Sequence, residues 1–406
     1  MQTVTHRQLF FQHVAQTSDF PLALEIDRAE GVYIYDTAGK AHIDLISGIG
    51  VSNVGHRHPA VLAAIQEQLG KYLHLMVYGE FVQTPQTALA QALADTLPAP
   101  LTNVYFTNSG AEAIEGAMKL AKRYTGRTEL IACFDSYHGS TQGALSLSGD
   151  ENFKRNYRPL LPDVRHIRHG RLEELARITS RTAAVIMEVV QGEAGVRVPD
   201  RAYLQAVRQR CTDVGALLMF DEIQTGFGRT GTFWAFEGYH QPDAPVVPDV
   251  LVCAKGMGGG MPIGAFISSP AIMGVFKENP ILGHITTFGG HPVSCAASLA
   301  TLQTIRREKL YETADAKGRL FRELLVHPAI KDVRGKGLML AAEFESFDVL
   351  KPVIDHAIQH GVITDWFLFC NNSMRIAPPL IITEAEIRQA CAIILDAVEA
   401  VTAGVA

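Results

Sequence analysis

The 406-residue sequence lacks several features, and each absence removes a class of protein. No apolar run approaches the ~20 residues that a membrane-spanning helix needs. The stretch from Met1 to Leu24 mixes polar and apolar residues, so it reads as neither a signal peptide nor a membrane anchor. Positive charge is not in excess. Lys and Arg total 36 against 42 Asp and Glu, a net charge of −6, which leaves no basic footprint for nucleic acid. Cysteine is sparse: the six residues are scattered and form no C-x-x-C pair, which excludes a disulfide frame or zinc site and suits reduced thiols in a cytoplasmic protein. The pairs His56/His58 and His166/His169 lack carboxylate support and read as turn and surface histidines, so no metal is expected. Internal repeats, low-complexity tracts and Pro/Gly-rich linkers are also missing.

What is present is a largely apolar chain, 47% hydrophobic, with short apolar runs alternating with helical patterns. Buried strands are expected over 103–107, 129–134, 183–188, 216–221 and 250–254. Helices are expected over 111–124, 172–178, 201–214 and 292–308. That alternation is the signature of an α/β domain with a mainly parallel sheet. The last third changes character: "VRGKGLMLAAEF" reads as a strand pair between helices, and "SMRIAPPLII" as a further strand, the pattern of a smaller α+β lobe. Near the N-terminus "GVYIYDTAGKAHIDLISG" reads as a hairpin turning at Ala38-Gly39 that packs on the same lobe.

Three places carry chemistry. After the strand ending at Thr107, the turn Asn108-Ser109-Gly110 opens a helix, whose free N–H groups and dipole make a seat for an anion. That turn has neither the glycine pattern of a nucleotide P-loop nor that of a dinucleotide fold, which speaks against a nicotinamide dehydrogenase. Asp221 and Glu222 end a strongly apolar strand, where α/β folds bind ligands. They read either as a helix cap and a partner of Arg229, or as a buried anion facing a cationic ring. Lys255 follows another apolar strand and precedes five glycines in nine residues; desolvation there lowers an amine's pKa and makes it nucleophilic.

The ordered set "NSGAEA", "YHGST", "EVVQGEAG", "DEIQTGFGRTG", "AKGMGGGMPIGA", "TTFGGHP", "VRGKGL" and "MRIAPPL" resembles the class III, fold-type I aminotransferases, the group of the ornithine, acetylornithine and 4-aminobutyrate enzymes. The resemblance implies pyridoxal 5′-phosphate as cofactor, with an N-terminal segment of the small lobe at 1–55, a large cofactor-binding domain at 56–300 and a small domain at 301–406. It implies that Lys255 holds the cofactor as a Schiff base and shuttles the proton, and that Asp221 pairs with the pyridine nitrogen. Gln224 would donate to the ring's phenolic oxygen, Ile223 and Tyr137 would cover its two faces, and Ser109, Gly110 and Ala111 would hold the phosphate. His138 and Glu188 complete the implied cofactor contacts. Thr287 would reach the phosphate of a neighbouring subunit, making a homodimer with shared sites. Arg375 would bind the carboxylate next to the reacting carbon, and Glu193 would cover that arginine when the amine has none.

The substrate positions depart from the pattern. Ser140 stands where the ornithine and acetylornithine enzymes carry an arginine for the distal carboxylate, and Arg155 or Arg158 would have to replace it. Ile49 stands where ornithine aminotransferases have a tyrosine. A more apolar pocket shared by Met76, Tyr78 and Phe81 is expected. The function implied is transfer of an amino group from an ω-amino acid, diamine or amine to a 2-oxo acid, with pyruvate competing well against 2-oxoglutarate. Epimerases, aminomutases and decarboxylases share the scaffold, and a catalytically silent cofactor-binding regulator is a reading of another class. Intact Lys255, Asp221, Gln224, Arg375 and Glu193 speak against the silent one.

Overall fold

The computed structural model describes residues 4–241 and 243–403. At its centre is a seven-stranded sheet: β1 Asn103–Thr107, β2 Glu129–Cys133, β3 Val164–Ile167, β4 Thr182–Glu188, β5 Leu217–Asp221, β6 Val250–Cys253 and β7 Gly264–Ser268, in the order β1-β7-β6-β5-β4-β2-β3. The block from β6 to β3 is parallel. Strand β7 runs antiparallel to both β6 and β1, so β1 again points the same way as β6. Alternate residues of the central strands enter separate apolar clusters on the two faces, Ile131, Val185, Leu218 and Leu251 on one and Leu130, Ile186, Met219 and Val252 on the other. That two-sided burial explains why these strands read as continuous apolar runs.

The helix Gly110–Thr125 covers one face. Ser109 caps it, its hydroxyl accepting from Glu112 N at 3.2 Å, and Gly126 ends it at φ 67°. Ile114, Ala117, Met118 and Ala121 point into the sheet. A second sheet, Asp332–Lys336, Met339–Glu343, Cys370–Ile376 and Trp366–Phe367, is antiparallel throughout. The N-terminal hairpin turns as expected, with Asp36 Oδ1 accepting from Ala38 N and Lys40 N. Its strand Ala41–Asp44 pairs with Val362–Ile363, and Val32, Ile43 and Leu45 share an apolar cluster with Leu340, Phe344, Ile376 and Ile394.

Three elements differ from the sequence reading. Residues Leu172–Arg177 form a 3₁₀ turn rather than an α-helix. Strands β3 and β7 were not anticipated: β3 is an edge strand with Arg165 and His166 in it, and β7 begins at Gly264 inside the glycine cluster. Gly226–Gly231 spells G-x-G-x-x-G, but it opens no α-helix and so makes no dinucleotide seat. Among the described residues no helix is long and apolar enough to cross a membrane.

Arg229 pins the seam between the two sheets. It is fully buried and pairs with neither Asp221 nor Glu222; its guanidinium donates to the carbonyls of Leu338 and Pro378 and to Asn53 Oδ1. Burial pushes its pKa down to about 9. Arg229→Leu leaves those buried acceptors unpaired, at about 1–3 kcal/mol each. A loss of more than about 3 kcal/mol is expected in denaturant melts, and a loss below 1 kcal/mol would show that water replaces the guanidinium.

Candidate active site

Parallel register brings the chemistry to one edge. Glu188 and Asp221 are paired residues at the carboxyl ends of β4 and β5, and Lys255 follows two residues after β6. The turn after β1 brings Ser109 to the same edge. All four line a single cavity of about 760 Å³.

Gly110 is needed for close approach: a Cβ there would meet Ile223 Cδ1 at 2.8 Å. Gly264 is constrained likewise, since its Cβ would lie 2.4 Å from the Ser109 carbonyl oxygen. Lys255 itself adopts φ 45°, a left-handed backbone that costs a non-glycine residue roughly 1–3 kcal/mol. Burial lowers its amine pKa, although Glu193 opposes the shift. The amine is thereby kept closer to its neutral, nucleophilic form.

Asp221 is buried and doubly held. Its Oδ2 bonds to His138 Nδ1 at 2.6 Å, and its Oδ1 accepts from Ile223 N at 2.9 Å. Burial works against charge on the His138 ring, but the bond to Asp221 outweighs it and the ring's pKa is raised. Glu188 ties two loops together, accepting from Tyr137 N at 3.2 Å and from Gly192 N at 2.6 Å. Burial pushes its carboxyl up to about 7. Glu222 does not face the cavity; it accepts from Ala235 N, Phe236 N and the Thr225 hydroxyl.

Glu193 lines the cavity with Arg375 behind it. The pair is bidentate, 3.0 Å on both sides, and both side chains are buried. Gln224 Nε2 lies 3.4 Å from Glu193 Oε1. Burial raises the Glu193 carboxyl, yet Arg375 more than compensates and holds it at about 2.

Not every expected residue gathers here. Ser109, Gly110, Ala111, Tyr137, His138, Ser140, Glu188, Glu193, Asp221, Ile223, Gln224 and Lys255 all line the cavity, with the Tyr137 hydroxyl 3.1 Å from Ser140 Oγ. Ile49, Tyr78 and Thr287 do not. Ile49 sits at φ 62° in a turn, and its neighbour Val51 lines the wall instead. Tyr78 donates to the Met76 sulfur, and Met76 and Phe81 are exposed. Thr287 is exposed beside buried Thr286. Neither Arg155 nor Arg158 reaches the cavity, and Arg158 pairs with Glu151. The paired histidines bond singly: His56 does have a carboxylate partner, Asp44, contrary to the sequence reading, while His166 bonds to the Leu147 carbonyl, His169 to the Glu188 carbonyl, and His58 caps the helix 59–69. Sequence reading missed Asp365, which bonds to Arg375 Nε at 2.7 Å. A lone acid in the apolar run "GVITDWFLF" was the available signal.

An anion seat at a helix start, a buried acid at depth and an amine at a strand end are what a phosphorylated pyridine aldehyde requires. Solved structures show the class. The fold matches the ornithine aminotransferase of Toxoplasma gondii, described with partial occupancy of pyridoxal phosphate at its active site, with a TM-score of 0.90 and 29% identity over 97% of this chain and 93% of that one. A transaminase from the marine bacterium Virgibacillus matches with a TM-score of 0.91 and 28% identity over 99% of this chain and all of that one. The architecture is that of the pyridoxal-phosphate-dependent transferases. The family model for class-III aminotransferases matches residues 14–398, and the chain belongs to that family. It is 39% identical to an acetylornithine aminotransferase of Methanopyrus kandleri over 96% of this chain and 97% of that protein. It is 40% identical to a putrescine aminotransferase of Pectobacterium atrosepticum over 89% of this chain and 78% of that protein.

The Glu193–Arg375 pair carries a pH signature. Because the folded carboxyl sits below its ordinary 4.5, its contribution to stability is complete above that pH and fades as pH falls towards about 2. Thermal melts of Glu193→Gln should fall less steeply than wild type between about pH 5 and pH 3. Parallel slopes would mean that the pair gives no net stabilisation.

Proposed function

We propose that this aminotransferase moves the amino group of a terminal amine, in an ω-amino acid or diamine, to a 2-oxo acid, with Lys255 as the cofactor lysine. The observation that carries the substrate reading is the cavity wall. Among the described residues Glu193 faces the cavity and no arginine lines it, so an amine without a neighbouring carboxylate meets a negative charge. The putrescine enzyme among the relatives supports a diamine, and the acetylornithine enzyme an ω-amino acid.

The residues divide the work. Ser109, Gly110 and Ala111 hold the phosphate at the start of the helix. Asp221, held by His138, would face the ring nitrogen; Ile223 and Tyr137 would cover the ring's two faces, and Gln224 would donate to its phenolic oxygen. Bound pyridoxal phosphate supplies the electron sink for the pair of electrons released when the substrate C–H bond breaks. Lys255 Nζ would take the proton from the substrate carbon and deliver it to the cofactor carbon that bore the aldehyde, as its lowered pKa allows. We also propose a homodimer. Thr287 reaches the partner's phosphate in this reading, and the exposed Ile281, Leu282 and Phe288 around it supply apolar contact. A cytoplasmic location suits six cysteines that are all free.

Borohydride reduction of the holoenzyme should fix the cofactor to one peptide, the one containing Lys255. Fixation at any other lysine removes Lys255 from the reaction.

The acceptor follows from Ser140. Losing a charge-assisted bond to a distal carboxylate costs about 1.5–3 kcal/mol, roughly a tenfold to hundredfold loss in specificity. Wild type should therefore show little preference in kcat/KM for 2-oxoglutarate over pyruvate, and Ser140→Arg should gain some. A wild-type preference for 2-oxoglutarate of several orders of magnitude would place the grip on another cation.

A further inference from the structure

Arg375 is held by more than Glu193. Its Nε donates to Asp365 Oδ1 at 2.7 Å, a shorter bond than either of the 3.0 Å bonds to Glu193. One terminal nitrogen also reaches the Trp366 carbonyl at 3.3 Å, and the guanidinium lies 4.4 Å from the centroid of the Phe367 ring. The backbone joins in: Arg375 N donates to the Asp365 carbonyl at 2.9 Å, and the Arg375 carbonyl accepts from Thr364 Oγ1 at 2.6 Å. Residues 364–367 thus grip the arginine from backbone to guanidinium, whereas Glu193 engages only its two terminal nitrogens.

The two carboxylates differ in their other ties. Glu193 lines the cavity, and its remaining side-chain bonds are long, 3.2 Å from Leu368 N and 3.4 Å from Gln224 Nε2. Asp365 does not line the cavity, and Arg375 is its side chain's one hydrogen-bond partner among the described residues. A substrate carboxylate entering the cavity competes for the nitrogens that Glu193 holds. It does not compete for Nε. Glu193 is therefore the half of the pair that can leave, and Arg375 the half that stays.

We propose that Asp365 is a positioning residue for carboxylate recognition, anchoring the Arg375 guanidinium by Nε while a 2-oxo acid displaces Glu193 from its two terminal nitrogens. The proposal rests on the amino transfer inferred above and adds a residue that acts through Arg375. An arginine freed at Nε keeps its charge but loses the fixed orientation that makes bidentate recognition strong.

The test separates the two half-reactions of the holoenzyme. With 1,4-diaminobutane as a carboxylate-free donor, Asp365→Ala should lose at most about threefold in the single-turnover rate, because no substrate carboxylate calls on Arg375. With pyruvate as acceptor, KM should rise about tenfold to hundredfold with a much smaller change in kcat. Calorimetric binding of propionate, a carboxylate that cannot react, should weaken in the same proportion. Asp365→Asn keeps the volume and an acceptor oxygen, so it should recover part of the loss and guards against a folding defect in the alanine variant. Adding Asp365→Ala to Arg375→Gln should cost nothing further, as expected of a residue acting through that arginine.

An unchanged or lower pyruvate KM would overturn the proposal, as would equal losses in both half-reactions or additive effects in the double variant. A wild-type enzyme that transfers amino groups while Asp365→Ala behaves like it sinks this inference alone. A wild type that transfers none from any amine to either oxo acid sinks the functional reading beneath it.

Discussion

Ionised groups buried at the edge of an apolar sheet cost several kcal/mol each unless partners replace the lost water, and the site is organised by how each one is matched. Asp221 has His138 and a backbone amide. Glu193 has Arg375, and Arg375 has Asp365 as well. Glu222 has two backbone amides and a hydroxyl, and Arg229 has carbonyls. Lys255 differs in kind, since its side chain lines the cavity rather than being tied to a partner in the wall. Burial outweighs the pull of Glu193, Asp221 and Glu188 on its charge, and its backbone lies in the left-handed region at φ 45°. That lowered pKa suits the reacting role proposed for it above.

Much of this was legible in the residues because fold and site obey the same periodicities. Central strands buried on both faces appear as apolar runs, and each run ends in a residue with chemistry: Thr107 before the Ser109 turn, Glu188, Asp221, and Ala254 before Lys255. Parallel register then forces those ends onto one edge, so a one-dimensional pattern becomes a site. The helix 110–125 follows the Asn108-Ser109-Gly110 turn as expected, and Ser109 and Gly126 cap its two ends.

What escaped was whatever depends on contacts far apart in sequence. Strand β7 starts at the last residue of the glycine cluster, and its apolar run Ala265–Ile267 is too short to stand out until it pairs with β1 and β6. Leu172–Arg177 carries a helical pattern too short to complete a second stable turn. Asp365 reaches Arg375 only because strands 366–367 and 370–376 fold back on each other. Ile49 comes from the resemblance and Tyr78 from the expected apolar pocket, and neither lines the cavity. Tyr78 lies in a stretch with exposed Leu73, Leu75 and Met76, an apolar surface that the homodimer proposed above would cover.

The arrangement around Arg375 resolves a conflict that any two-substrate amino transfer poses. One substrate carries a carboxylate beside its reacting carbon, and the other need not, yet both use the same cavity. A permanently exposed guanidinium would serve the first and leave an unpaired buried cation with the second. A permanently neutralised one would do the reverse. Pairing the arginine's terminal nitrogens with a carboxylate that lines the cavity, and its Nε with one that does not, separates the two demands. The exchangeable partner sets which substrate fits, and the fixed partner keeps the geometry through both. Adding a second anion also leaves the cluster with one negative charge in excess while Glu193 is in place, which matches the charge of an incoming ammonium rather than that of an incoming carboxylate. The same electrostatics that favour an amine donor therefore make the anchor at Nε necessary, since the 2-oxo acid must find its arginine already oriented when it arrives.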